Sequence, residues 1–298
     1  MNIAFVGLGV MGAPMCANLI RTEAYRLRVF DIDASRMDPL VSMGAGRACS
    51  VATAVSGADL VLTSLPGPQQ VESVAFGEGG IFNSIEPGAT WIDLSTNNLD
   101  VGRALHEKAH GVGVELLDAP VSGGDEGAIA GTLTILVGGR EEVYARWLPL
   151  LRTLGEKVLL LGGHGAGYAA KIAQVVLCYL HSLALSEALM LGIRGGVGAR
   201  EMLGIIREST GRSYVADRYG PSILNGDYDP SFTIGLAHKD MGLAMDMASK
   251  LGIELPMCRL TESTYSRAVG EYGFDSNHLK AVRLLEEDNG VFLQEEKV

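Results

Sequence analysis

The chain has 298 residues, 47% of them hydrophobic and 20% charged, with 35 acidic against 24 basic residues and a formal net charge of -11. That length exceeds one ordinary domain, and the apolar content excludes a disordered chain. The acidic balance repels polyanions, so neither nucleic acid nor an anionic membrane surface is expected as a partner, whereas aimed amides and a lysine can still hold a small anion at short range.

Asn2-Ile3-Ala4-Phe5-Val6 reads as a strand from the outset, leaving no room for a signal or transit peptide and predicting a cytoplasmic protein. Six further β-branched runs follow, at Leu27 to Phe30, Leu60 to Ser64, Thr90 to Leu94, Val114 to Asp118, Thr134 to Val137 and Val158 to Leu161. Helix-like segments separate them, and several runs are continuously apolar, as strands covered on both faces must be. The first 162 residues therefore predict a doubly wound α/β domain with a parallel sheet.

The glycine-rich stretch Gly162 to Gly167 reads as a hinge, and residues 163–298 as an all-helical second domain. Helices are expected at Tyr168 to Leu191, Arg200 to Ser209, Leu236 to Leu251 and Pro256 to Val269. The greasiest stretch, Val175 to Ile193, carries His181, Ser182, Ser186 and Glu187, which suits a buried helix and not a membrane span. Residues 294–298 read as a solvated end. Cys16, Cys49, Cys178 and Cys258 form no CxxC pair and read as buried thiols, and the six histidines show no ligand spacing, so no metal is expected.

Gly7-Leu8-Gly9-Val10-Met11-Gly12 follows the first strand and opens the first helix. In this dinucleotide fingerprint Gly7 permits the tight turn, Gly9 the approach of the pyrophosphate, and Gly12 close packing of helix on strand. The helix N-terminus, with Val10 and Met11, then faces the phosphates. Asp31, 19 residues after Gly12 at the end of the next strand, is spaced to bind the ribose hydroxyls. A carboxylate there repels a 2′-phosphate, which favours NAD over NADP, with Asp33 as a possible substitute. Ser64-Leu65-Pro66 and Ser95-Thr96 end strands on the ligand side of such a sheet. Asp118-Ala119-Pro120-Val121-Ser122-Gly123-Gly124 repeats the strand-to-glycine arrangement and suits a substrate carboxylate. Lys171 sits alone in the small, apolar run Gly167 to Ala173.

Four motifs in order, Phe5 to Gly12, Asp118 to Gly124, Gly165 to Lys171 and Phe232 to Asp240, resemble those of the β-hydroxyacid dehydrogenase family, and the resemblance covers essentially the whole chain. It implies a Rossmann domain, a helical C-terminal domain and an active site in the cleft between them. It also implies Lys171 as catalytic lysine, Ser122, Gly123 and Gly124 as substrate-binding, Leu65 and Thr96 as cofactor contacts, Lys239 as the lysine beside the nicotinamide, and Asp240, the acid after it, as a further substrate-binding residue. Similar proteins usually carry amides three and four places after the lysine; this chain has Gln174, expected to orient the substrate, and then Val175, beside Cys178 and Tyr179. The activity implied is NAD-dependent oxidation of a small 3-hydroxy acid, or reduction of the matching semialdehyde, by a homodimer or homotetramer. The alternatives are a reductase of a related aldehyde, sulfonate or imine, and a cofactor-binding module without catalysis. Imine reductases generally carry aspartate or tyrosine where Lys171 stands.

Overall fold

The computed structural model describes residues 1–294, so the expected solvated end lies outside the described residues except for Gln294. The chain divides into two compact units, Met1–Lys171 and Ile172–Val298. The first unit contains nine strands: β1 (Asn2–Val6), β2 (Arg26–Phe30), β3 (Gly46–Arg47), β4 (Leu60–Thr63), β5 (Thr90–Asp93), β6 (Glu115–Asp118), β7 (Val121–Ser122), β8 (Thr134–Gly138) and β9 (Lys157–Gly162). Their order is β3-β2-β1-β4-β5-β6-β8-β7, with β9 against β8. The first six are all parallel. This is the Rossmann order, whose direction reverses between β1 and β4.

All seven expected strands form, because runs such as Leu60–Thr63 and Thr90–Asp93 are buried from end to end and only a doubly covered sheet accommodates them. Two apolar layers cover the sheet. Ile3, Phe5, Leu62 and Ile92 face one core, while Ala4, Val61, Trp91 and Leu116 face the other. The sheet is parallel from β1 to β6, as expected, and its far edge adds a reversal: β8 runs antiparallel to both β6 and β7, and β9 is parallel to β8. The connection from β6 to β8, holding only β7 and the short helix Gly124–Ala130, is a tight return and not a full crossover.

In the second unit the expected helices form as the C-terminal part of Ala166–Arg194, then Ala199–Arg207, Ile234–Leu251 and Pro256–Tyr272, with Tyr214–Arg218, Gly220–Asn225 and Lys280–Asn289 in addition. Ala166–Arg194 is long and apolar enough to cross a bilayer, with 44% of its most apolar window buried in the protein. Tyr179 and Leu183 pack into one helical core with Ile234 and Met241, and Leu185 and Leu189 into another with Ile223 and Val282. One thiol departs from expectation: Cys16 and Cys258 are buried and Cys178 half-buried, but Cys49, in the loop after the edge strand β3, is exposed.

Candidate active site

The glycine fingerprint forms the turn between β1 and the helix Gly12–Arg21. Gly7 has φ +92°, and a Cβ there would lie 2.3 Å from the Ser64 carbonyl oxygen at the end of β4. A Cβ on Gly12 would lie 2.0 Å from the Gly7 oxygen. Both positions are closed to any side chain by the backbone itself. Gly9 differs: among the described residues, the only atom within 4 Å of its missing Cβ is Nη1 of Arg36, at 3.6 Å. The gap over Gly9 is where a pyrophosphate would approach, so the turn fits a dinucleotide. Val10 is 65% exposed, and Met11 precedes the first helical residue.

Asp31 is buried at the end of β2, where Oδ2 accepts from the Leu8 amide at 2.7 Å and Oδ1 from the Asp33 amide at 2.9 Å. The acid thus already holds the glycine turn. Asp33 caps the following turn by accepting from the Ser35 hydroxyl at 2.6 Å and the Ser35 amide at 3.0 Å, and these bonds, with Arg36 nearby, hold its carboxyl below the usual range. Two residues in this region escaped the reading of the sequence. Arg36 lies 4.0 Å from Asp31 and 3.4 Å from Asp33, and Ile32, next to Asp31, is 96% exposed. A large apolar side chain at a strand end between two acids was the available signal for Ile32.

Leu65 and Thr96 lie past the ends of β4 and β5. The Leu65 amide donates to Ser95 Oγ at 2.9 Å, and the Ser95 amide to Asp93 Oδ1 at 3.1 Å, so the two strand ends are tied together. Ser122 belongs to β7 and pairs with Thr134. Gly123 and Gly124, with φ +136° and +68°, lead into the helix Gly124–Ala130, whose first turn carries Asp125 and Glu126.

Lys171 is half-buried, in the second turn of the helix Ala166–Arg194. That helix starts against the carboxyl ends of β5 and β6. Asp118, the last residue of β6, accepts from the amides of Gly165 at 2.8 Å, Gly167 at 2.8 Å and Tyr168 at 3.2 Å. Burial pushes the Asp118 carboxyl above its ordinary range, and the amide donors pull it back. The last residues of the stretch expected as a hinge are thus bonded to the end of β6. Gly165 is bound through its amide, and a Cβ on Gly167 would lie 2.3 Å from the Leu136 carbonyl oxygen and 2.8 Å from Asp118 Oδ2.

Gln174 is exposed, and Val175 is half-buried against the helical core. In the second unit, Asp240 is 3% exposed, its Oδ2 accepts from the Tyr179 hydroxyl at 2.8 Å, and its Oδ1 lies 3.0 Å from Lys239 Nζ. This arrangement places Asp240 behind Lys239, holding the amine from the protein side.

A cleft of about 330 Å³ opens between the helix Leu99–Gly111 and the start of the long helix, lined in part by Arg103, His106, His164 and Ala169. Lys171 is two residues beyond Ala169, about 200° around the helix, and so projects from the opposite face. His164 stacks on His106 with ring centroids 3.7 Å apart. Burial, then His106, then Arg140, push its imidazole down to about 4. The unfolded chain takes up a proton near pH 6.5 while the native one does not, so stability falls as pH drops from 6.5 towards 4. The ring is half-buried, so a loss of about 1–2 kcal/mol is expected. Urea unfolding at pH 7.5 and 4.5 checks this: His164→Asn is expected to lose about 1 kcal/mol less than wild type over that interval, and an identical loss would remove His164 as the cause.

Residues 2–163 match the profile of the NAD-binding domain of 6-phosphogluconate dehydrogenase, and residues 165–285 that described as NAD-binding of NADP-dependent 3-hydroxyisobutyrate dehydrogenase. The chain is 37% identical to an NAD-dependent L-serine dehydrogenase of Pseudomonas aeruginosa, over 95% of this chain and 97% of that protein. It is 36% identical to the 3-hydroxyisobutyrate dehydrogenase of the same organism, over 89% and 91%. The chain belongs to the β-hydroxyacid dehydrogenase family. As a member of that family it is a nicotinamide-dependent oxidoreductase. Among solved structures, Mycobacterium tuberculosis 3-hydroxyisobutyrate dehydrogenase with L-serine superposes with a TM-score of 0.87 at 32% identity, covering 95% of this chain and 98% of that one.

Proposed function

We propose that this hydroxyacid dehydrogenase oxidises a small 3-hydroxy acid with NAD, and reduces the matching semialdehyde, using Lys171 as general base and acid. The observation that carries the reading is the placement of this amine on a helix whose start is bonded to the carboxyl end of β6, the side on which ligands bind open parallel sheets. The L-serine dehydrogenase and the L-serine complex among its relatives support a short hydroxy acid as substrate.

In this reading Gly9 and the amides around Val10 and Met11 accommodate the pyrophosphate, Asp31 the ribose hydroxyls, and Ile32 the adenine face. Leu65, Thr96 and Lys239 serve the nicotinamide half. Ser122 donates a hydroxyl hydrogen bond to the substrate carboxylate, while Gly123 and Gly124 let the backbone come close. Gln174 orients the substrate, and Val175 makes that side of the pocket more apolar. A bound nicotinamide supplies the hydride acceptor or donor. Lys171 Nζ withdraws the proton from the substrate hydroxyl as the carbinol is oxidised, and returns it to the carbonyl oxygen in reduction. The homodimer or homotetramer and the cytoplasmic setting belong to the same proposal.

Steady-state assays on 3-hydroxyisobutyrate, L-serine and glycerate, each with NAD and NADP, test it. Turnover on at least one acid, with NAD preferred, is the expected result. Dinucleotide binding without turnover on any of them would instead indicate a binding module. For cofactor choice, Asp31→Ser is expected to raise the KM for NAD roughly 10-fold or more, about 1.4 kcal/mol of binding, and to bring NADP to parity or better, since the repulsion goes and Arg36 stays. An unchanged NAD-to-NADP ratio would transfer that selectivity elsewhere.

A further inference from the structure

The carboxyl ends of β5 and β6 carry two buried acids, Asp93 and Asp118, that both reach the first turn of the long helix. Asp118 takes its backbone amides, as described. Asp93 takes a side chain: its Oδ2 accepts from the Tyr168 hydroxyl at 2.7 Å. Burial, then the Asp93 charge, push the Tyr168 hydroxyl well above its ordinary range, so it stays protonated and donates.

Each member of this set is itself held. Asp93 Oδ1 accepts from Thr63 Oγ1 at 2.7 Å and from the Ser95 amide, and Thr63 in turn accepts from Trp91 Nε1 at 2.9 Å. Tyr168 is 1% exposed, and its ring occupies space that only a glycine leaves open. A Cβ on Gly102, in the helix Leu99–Gly111, would lie 2.8 Å from Cε2 of that ring. Gly138 does the same for Asp118, because a Cβ there would sit within 2.4 Å of Oδ2.

A helix fixed only through its amides can still rotate and fray over its first turn. A hydroxyl bonded to a second strand at Tyr168, three residues before Lys171 and nearly one turn away, removes that freedom. We propose that Asp93, Asp118 and Tyr168 form a two-point clamp that fixes the rotation of the helix start and thereby aims Lys171, making them positioning residues for proton transfer. The proposal rests on the reading of Lys171 as the proton-transferring group. It goes beyond that reading in assigning work to three buried residues outside it.

Two variants and two independent readouts test it in the full-length protein. Tyr168→Phe removes one bond and keeps the ring; Asp118→Asn weakens the amide anchor. By hydrogen-exchange mass spectrometry, the peptide spanning residues 163–172 is expected to exchange at least about 10-fold faster in both variants, with the rest of the chain unchanged. In assays on the best substrate, Tyr168→Phe is expected to lower kcat about 10-fold or more. Its KM and NAD affinity should stay within about twofold, and the primary deuterium isotope effect on kcat should rise because the chemical step has become slower.

A merely structural loss would reduce the active fraction and leave the isotope effect where it was. Unchanged exchange in residues 163–172 overturns the clamp, and faster exchange with wild-type kcat and isotope effect overturns its link to Lys171. Should Asp118→Asn lose its cooperative melt, Tyr168→Phe alone decides. A wild-type protein inert on every substrate, or a fully active Lys171→Met, would count against the dehydrogenase reading instead, and the exchange measurement would still report on the clamp.

Discussion

Lys171→Met is expected to lower turnover at least about 100-fold, the usual scale for a positioned acid–base group, while NAD binds within about twofold of wild type. Methionine keeps the length of the side chain and its helix propensity and removes only the amine, so the helix start held by Asp118 should be undisturbed. The proton on the substrate hydroxyl then has only water to take it. Both limits can be read in one experiment, from initial rates and from NAD titration followed by fluorescence. A variant that keeps turnover within threefold of wild type would mean that another group moves the proton, and the chemistry proposed for this helix would have to be abandoned.

Gly9→Val is expected to weaken dinucleotide binding about 100-fold or more without changing the melting temperature by more than a degree or two. The space over Gly9 is open, with Arg36 Nη1 at 3.6 Å as the only atom of the described residues within 4 Å of a Cβ there. The added side chain therefore fits the free protein and collides only with an incoming pyrophosphate, which must approach the backbone closely there. Gly12→Ala is the contrasting control. Its Cβ would overlap the Gly7 carbonyl oxygen at 2.0 Å, so a loss of stability on the order of 2–4 kcal/mol is expected whether or not the cofactor is present. Equal melting losses for the two variants would show that Gly9 serves the fold and leaves no gap for a ligand.

The strands were legible because a doubly covered parallel sheet writes itself as uninterrupted apolar runs, and Leu60–Thr63 and Thr90–Asp93 are buried throughout. Gly46–Arg47 and Val121–Ser122 are two residues each, too short to show any periodicity. The reversal of β8 was invisible for another reason: strand direction is settled by which edge is free to pair, and no local residue records it. Lys280–Asn289 was missed because five charges crowd a ten-residue helix and mask the apolar stripe of Ala281, Val282 and Leu284.

The site divides in the same way. Glycine turns and strand-end acids announce themselves, since steric need at Gly7 and Gly12 is local and the position of Asp31 follows from counting. The clamp does not announce itself. Tyr168 lies 75 residues from Asp93 and 50 from Asp118, and an aromatic in an apolar helical run reads as core. Asp240 shows the converse, a motif residue that the resemblance placed at the substrate and that folding sets at 3% exposure against Tyr179.

The grip of Asp31 on the Leu8 amide bears on how fast the protein can capture its nucleotide. A loop that must be ordered on arrival makes each encounter conditional on a rare conformation. Here the ordering was completed when β2 docked beside β1, so productive encounters should be governed by diffusion and collision geometry. Loosening that one carboxylate contact would then show as slower association, with the apparent affinity lowered by the same factor.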